Sequence, residues 1–134
     1  MPHAPLLGGE TPGVDRAAVR AIGGALLTPL GLRTLAPSEY GYAAVHRPGG
    51  RDDRDIAYHQ GTVWPWLIGP YVDACAATGL PTEGLLTGLE AHVREWGVGS
   101  VSETAEGDAP HPATGCPFSA RSVAENLRAR RLTS

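Results

Sequence analysis

Thr62-Val63-Trp64-Pro65-Trp66-Leu67-Ile68-Gly69-Pro70-Tyr71-Val72-Asp73-Ala74-Cys75 is the stretch on which the fold turns. Trp64, Leu67, Ile68, Tyr71, Val72 and Cys75 recur at i, i+3, i+4 and i+7, the spacing of one apolar helix face. Thr62 reads as the N-cap, and Pro65 falls in the first turn, where a missing N–H costs little. Gly79 and Pro81 close the helix. Trp64 and Trp66 stand two apart, about 200° around a helix, so their rings cannot face the same way. At most one lines a cavity. Trp64 shares the stripe of Ile68 and Tyr71, which favours core packing for it.

Helical periods extend to both sides. Upstream, Thr11 reads as an N-cap with Pro12 at the first helical position. Val14, Ala17, Ala18, Ala21, Ile22, Ala25 and Leu26 follow as a stripe that Pro29 and Gly31 end. Downstream, Thr82 to Trp96 carries Leu85, Leu86, Leu89, Val93 and Trp96 on one face. A last helix over 118–130 is expected to bury Ala120, Val123, Ala124 and Leu127, and its closing Arg128, Arg130 and Arg131 suit the helix dipole. Residues 28–61 show no helical period and read as an irregular connection with a short strand or two at most. Gly97 to Pro117 is a second long loop, and residues 1–11, rich in Pro and Gly, read as loose. These elements predict an all-α chain in a single domain spanning 1–134, with its interesting side chains on long loops.

Composition narrows the function. A net charge of −3, with every one of the eleven basic residues an Arg, offers no basic stripe for nucleic acid. The most apolar window, Val63 to Ala77, holds Asp73, Pro65 and Pro70 and is too short to span a membrane. The start, Met1 to Leu7, has no basic region and no apolar run of signal-peptide length. Cys75 and Cys116 make no disulfide framework, which suits a reducing, cytoplasmic setting. His46, His59, His92, His111 and Cys116 show no zinc-ligand spacing, and neither a phosphate loop nor a Gly-x-Ser-x-Gly elbow occurs. No metal and no cofactor is therefore expected.

Two clusters carry chemistry. Tyr58-His59-Gln60 precedes the Trp pair, and aromatic faces beside amide and imidazole edges suit a sugar. A structural, hydrogen-bonded His59 fits the residues equally well. Glu103, Glu106, Asp108 and His111 fall within nine residues. Crowded carboxylates raise one another's pKa, one way to prepare a general base, although a solvated acidic loop has the same composition.

Three segments resemble the amylo-alpha-1,6-glucosidase catalytic domain of glycogen debranching enzymes. They are Leu27 to Leu35, Tyr58 to Tyr71 and Gly99 to Arg128, in the family's order and spacing. The resemblance covers residues 12–130, and glucoamylases and trehalases share parts of the middle motif. It implies part of a six-hairpin (α/α) toroid, about four of its twelve helices, forming a C-terminal portion whose N-terminal remainder would be a partner. It implies inverting hydrolysis of α-1,6-linked glucose at the branch stubs of glycogen or related glucans. Glu103, in Ser102-Glu103, matches the family's general base. Tyr58, His59, Gln60 and Trp64 match the walls of the glucose subsite, in competition with the packing role read above for Trp64. Asp108 and His111 match residues that shape the loop or touch sugar hydroxyls. The chain departs from the pattern at Ala105 and Glu106, where the family usually has Phe and Asp. It departs again at Ser119-Ala120-Arg121, where the family usually has Gln-Ala-Trp. The general acid has no counterpart in the chain. Alternative readings are a non-catalytic remnant that binds glucan or a partner, or another six-hairpin glycosidase.

Overall fold

The computed structural model describes residues 15–45 and 50–133. Among these residues there are five helices, α1 (Arg16–Leu26), α2 (Arg51–His59), α3 (Ile68–Thr78), α4 (Thr87–His92) and α5 (Ala120–Thr133), and a small sheet. The strands are β1 (Leu27–Thr28), β2 (Gly31–Arg33), β3 (Val63–Trp64), β4 (Thr104–Ala105) and β5 (Ala113–Thr114). They form one antiparallel sheet in the order β1-β2-β3-β4-β5. The expectation of an all-α chain, and with it a purely helical piece of an (α/α) toroid, is therefore corrected to a mixed α/β fold. Strands of two or three residues are too short to show an alternating apolar period, so nothing in the pattern announces them.

The sheet explains why the helix expected at Thr62 starts later. Val63 pairs with Arg33 on one side and Ala105 on the other, and Trp64 pairs with Leu32. The Thr62 carbonyl accepts from the Thr34 N–H at 3.0 Å instead of opening a helix. Pro65 then begins a 3-10 turn to Leu67, and α3 follows from Ile68. Gly79, left-handed at φ 70°, ends α3, as the Gly–Pro signal predicts.

The inner faces also differ from the apolar stripes. In α1 the buried side is Val19 with Gly23 and Leu26 half-buried, whereas Ile22 is exposed. A Cβ on Gly23 would meet the Tyr71 hydroxyl from α3, so a side chain there would displace the end of that ring. The helix starts at Arg16, capped by the Asp15 carboxylate accepting from the Ala18 N–H at 2.6 Å. Thr11, Pro12 and the segment 1–11 lie outside the described residues. In α5 the buried residues are Ser122, Asn126 and Ala129; Ala120, Ala124 and Leu127 face outward. That small, polar face lets α5 approach α3 closely over Gly69, where the Glu125 carboxylate occupies the space a side chain would fill. Arg128 ties the pair together, bonding Asp73 and Glu125 at 2.6 Å each.

The helix expected from Thr82 to Trp96 is only α4, since Gly84 adopts φ 77° and the chain reaches Thr87 through turns. The charged run Arg51–Asp55, read as loop, is helical in α2, with Asp52 and Asp53 in the first turn where the helix dipole favours them. The core gathers Leu32, Ile68, Val72, Leu86, Leu89, Val101 and Ala129 between α3, α4, α5 and the sheet. No helix among the described residues is long and apolar enough to cross a membrane.

Candidate functional site

The sheet draws distant loops to one place. Its first two strands lie in Leu27 to Leu35, its middle strand in Tyr58 to Tyr71, and its last two in Gly99 to Arg128. The three segments singled out in the sequence are thus hydrogen-bonded neighbours in space.

Past the strand ends the loops lock together through backbone. Arg33 Nε donates to the Gly107 carbonyl at 2.8 Å, and the Gly107 N–H donates to the Ala44 carbonyl at 2.8 Å. A Cβ on Gly107 would stand 2.5 Å from both the Gly61 carbonyl and the Tyr42 hydroxyl, so this crossing requires glycine. The Gly61 N–H in turn donates to Thr34 Oγ1 at 2.9 Å.

A cleft of about 780 Å³ opens beside this crossing, lined by Tyr42, Asp53, Ile56, Asp108 and the chain at 43–45. Tyr42 donates its hydroxyl to Asp108 Oδ1 at 2.9 Å. Burial, and then the bond to Asp108, pushes the Tyr42 pKa up, so the phenol stays a proton donor. Gln60 is half-buried at the edge of this region: its carbonyl accepts from the Ala43 N–H at 2.6 Å, and its amide lies against Gly41.

Tyr58 and Trp64 form a tilted ring pair, centroids 5.6 Å apart, and Trp64 Nε1 donates to the Tyr58 carbonyl at 3.1 Å. Both are half-buried. His59 ends α2 and is exposed. Trp66 lies under Arg121, whose guanidinium carbon sits 5.2 Å from the ring centroid. An Arg over an indole face is itself a favourable contact, so Arg121 keeps Trp66 covered.

Glu103 stands at the other hairpin. Its N–H donates to the Cys116 carbonyl at 2.8 Å, and its Oε2 accepts from the Cys116 N–H at 3.1 Å. Gly115 (φ 68°) makes this possible, because a Cβ there would lie 2.6 Å from Oε2. Glu103 Oε1 has no hydrogen-bond partner among the described residues. The carboxylate is therefore held by one oxygen, and the residue as a whole is half-buried. It does not line the 780 Å³ cleft. His111, at φ 60°, is buried and turns Nδ1 to the Glu106 carbonyl at 2.9 Å, bracing its own loop.

The buried Ser102 preceding Glu103 is fixed twice: Oγ donates to the Thr104 carbonyl at 2.9 Å and its N–H donates to His92 Nε2 at 3.2 Å. Burial lowers the His92 pKa from its ordinary 6.5, with Glu95 pulling weakly the other way. The unfolded chain therefore binds this proton more readily than the folded one. Stability is full above the unfolded value and is lost as pH falls below it, by at most about 1.4 kcal/mol per pH unit. Melting temperatures should fall as pH drops from about 6.5, and His92→Gln should flatten that fall. An equal slope in the variant would contradict the assignment.

The structure brings Gln60 and Asp108 to one region, pairs Tyr58 with Trp64, and sets Glu103 and His111 on the 103–116 hairpin. Arg33, Tyr42 and Gly115 were missed by reasoning from sequence. Arg33 is the one charged residue in Leu27 to Leu35, a signal that was available; Tyr42 and Gly115 carried none. Among the described residues no group of three His, Cys, Asp or Glu could hold a metal ion.

The family model described as amylo-alpha-1,6-glucosidase matches residues 11–128. The glycogen debranching enzyme of Saccharomyces cerevisiae is 42% identical over 52 residues, 34% of this chain and 3% of that enzyme's length. The match thus spans a small part of that relative. The chain belongs to the amylo-alpha-1,6-glucosidase family.

Proposed function

We propose that this chain supplies the general-base half of a glycoside hydrolase of the debranching type, which cleaves α-1,6-linked glucose from branch stubs of glycogen with inversion. The observation that carries the reading is the meeting of the three family segments at one sheet, with Glu103 held through Oε2 and its Oε1 without a hydrogen-bond partner among the described residues. A carboxylate held at one oxygen leaves the other able to accept a proton from a water within hydrogen-bond reach. Tyr58, His59, Gln60 and Trp64 then form the wall toward the terminal glucose, with Asp108 and His111 shaping the facing loop. Of the two Trp, Trp64 gives its N–H to Tyr58, so its contribution to sugar is a ring face.

Inversion needs a second carboxyl group as acid, on the far side of the glycosidic bond, about 6.5–9.5 Å from the base. In this proposal the acid comes from sequence outside residues 1–134, and chain and acid together make the assembled hydrolase. Cys75 and Cys116 are both free thiols, which suits a cytoplasmic setting for glucan turnover. The assay is glucose release by the assembled hydrolase from a dextrin bearing single α-1,6 glucosyl stubs, against linear maltoheptaose. Release from the stub dextrin and little from the linear chain is expected. The reverse preference would move the reading to a glucoamylase-like enzyme.

A further inference from the structure

A second cavity, about 310 Å³, lies between α4, the β1–β2 turn and the 110–113 loop. Its walls include Trp96, Glu95, His92, His111, Pro29 and Leu30. Of the residues assigned above to the glucose subsite, His111 lines it, and Glu103, Tyr58, His59, Gln60, Trp64 and Asp108 do not.

The hydrogen-bond polarity of this cavity can be worked out from its neighbours. A backbone N–H only donates, so the bond from Ser102 leaves His92 Nε2 bare and puts the ring proton on Nδ1. Nδ1 has no partner among the described residues, yet it is not among the atoms sealed from solvent without one. His92 is 3% exposed and lines the cavity, so the ring N–H without a partner belongs to a residue of the cavity wall. His111 is the mirror case. A carbonyl only accepts, so the bond to Glu106 fixes the proton on Nδ1 and leaves Nε2 as an acceptor. One buried imidazole thus offers a donor and the other an acceptor. Glu95 adds a carboxylate, and Trp96, 48% exposed, adds an aromatic face.

Few ligand classes match this set. An anion would meet the Glu95 carboxylate and the His111 lone pair. A metal ion lacks a third ligand among the described residues. A purely apolar ligand would leave the His92 N–H unpaired, at a cost. A neutral ring carrying adjacent hydroxyls satisfies every wall, because each hydroxyl both donates and accepts while the C–H face of the ring lies on the indole. The volume is at the small end of ligand cavities, room for one such ring.

We propose that this cavity is a second pyranose-binding site, separate from Glu103, which holds one glucosyl unit of the glucan. The choice of glucose rests on the function proposed above; the choice of a pyranose rests on the cavity alone. Ser102 links the site to its neighbour, since its N–H orients His92 while the next residue is Glu103. A glucan held here would be presented beside the 103–116 hairpin.

The test is a two-dimensional NMR titration of the full chain with maltotriose, following the indole N–H groups and the backbone amides. Shifts at the Trp96 indole and the amides of Gly88, Ala91 and Ala113 are expected. Trp96→Ala should weaken that affinity by about tenfold, the loss of one stacking contact, with an unchanged melting temperature. Glu95→Gln, a surface change that removes no packing, should weaken it in the same direction. Glu103→Gln should leave these shifts in place. No shift at Trp96, or unaltered affinity in both Trp96→Ala and Glu95→Gln, overturns the site. Shifts at Trp96 as large and as tight with methyl α-galactoside as with maltotriose would uphold a pyranose site while removing glucan as its preferred ligand, and so strike the functional reading alone.

Discussion

Replacing Glu103 by Gln lowers kcat of the assembled hydrolase by roughly a thousandfold, the usual worth of a general base, and leaves KM nearly unchanged. Gln keeps the shape and can still accept from the Cys116 N–H, so the hairpin at 103–116 is retained. What it loses is the capacity to take a proton from water. A Glu103→Ala variant separates catalysis from positioning further. With the carboxylate gone, added azide occupies the space of the water and needs no base, and glucosyl azide of the β configuration should appear. A structural role for Glu103 would give neither the kcat-selective loss nor the azide product. Steady-state kinetics with the stub dextrin, and product analysis with azide, check both.

The largest expected effect on stability comes from Gly31→Ala. Gly31 has φ 144°, a conformation L-residues rarely adopt, and a Cβ there would lie 2.7 Å from both Trp64 O and Pro65 Cα. Those atoms are backbone, and Pro65 is buried, so neither can give way. Conformational strain and overpacking together should cost about 2–5 kcal/mol, a large part of the roughly 5–15 kcal/mol that holds a domain folded. The damage reaches the site, because β2 carries Arg33 to the Gly107 carbonyl. Gly24→Ala is the matched control. Gly24 is an exposed helix position with nothing within 4 Å of the added Cβ, so it should gain about 0.5–1 kcal/mol. Urea unfolding midpoints of the two variants should move in opposite directions. A Gly31→Ala protein as stable as the parent would mean that the β2–β3 contact is looser than described.

The contrast between Gly31 and Gly24 bears on how much could be read from the sequence. Where apolar spacing sets the inner face, the reading holds in part: Ile68, Val72 and Cys75 of α3 and Leu86 and Leu89 near α4 are buried, whereas Trp96, expected on the same face as Leu86 and Leu89, is exposed beyond the end of α4. It fails where close approach, not hydrophobicity, decides. The inner face of α5 is Ser122, Asn126 and Ala129, because small side chains let the helix sit against α3, and Leu127 is left outside. The sheet was invisible for a different reason. Its strands pair across as many as 41 positions, Val63 with Ala105 for example, and each is too short to carry a period of its own. Long-range pairing of that kind is read from family segments: the three that carry the resemblance are the ones the sheet joins. Glu103 and Asp108 were legible as carboxylates in a crowded loop. That Glu103 is clamped by Cys116 and Asp108 by Tyr42 was not, since those partners meet only in the folded chain.

The most direct test of Glu103 as the base of an inverting hydrolase is the configuration of the first glucose released. Proton NMR of the assembled hydrolase acting on the stub dextrin, recorded before mutarotation, should show β-glucose appearing first, because water delivered by Glu103 attacks the face opposite the departing α-linked oxygen. Initial α-glucose would mean two displacements and a covalent intermediate, and Glu103 would not be the base described here.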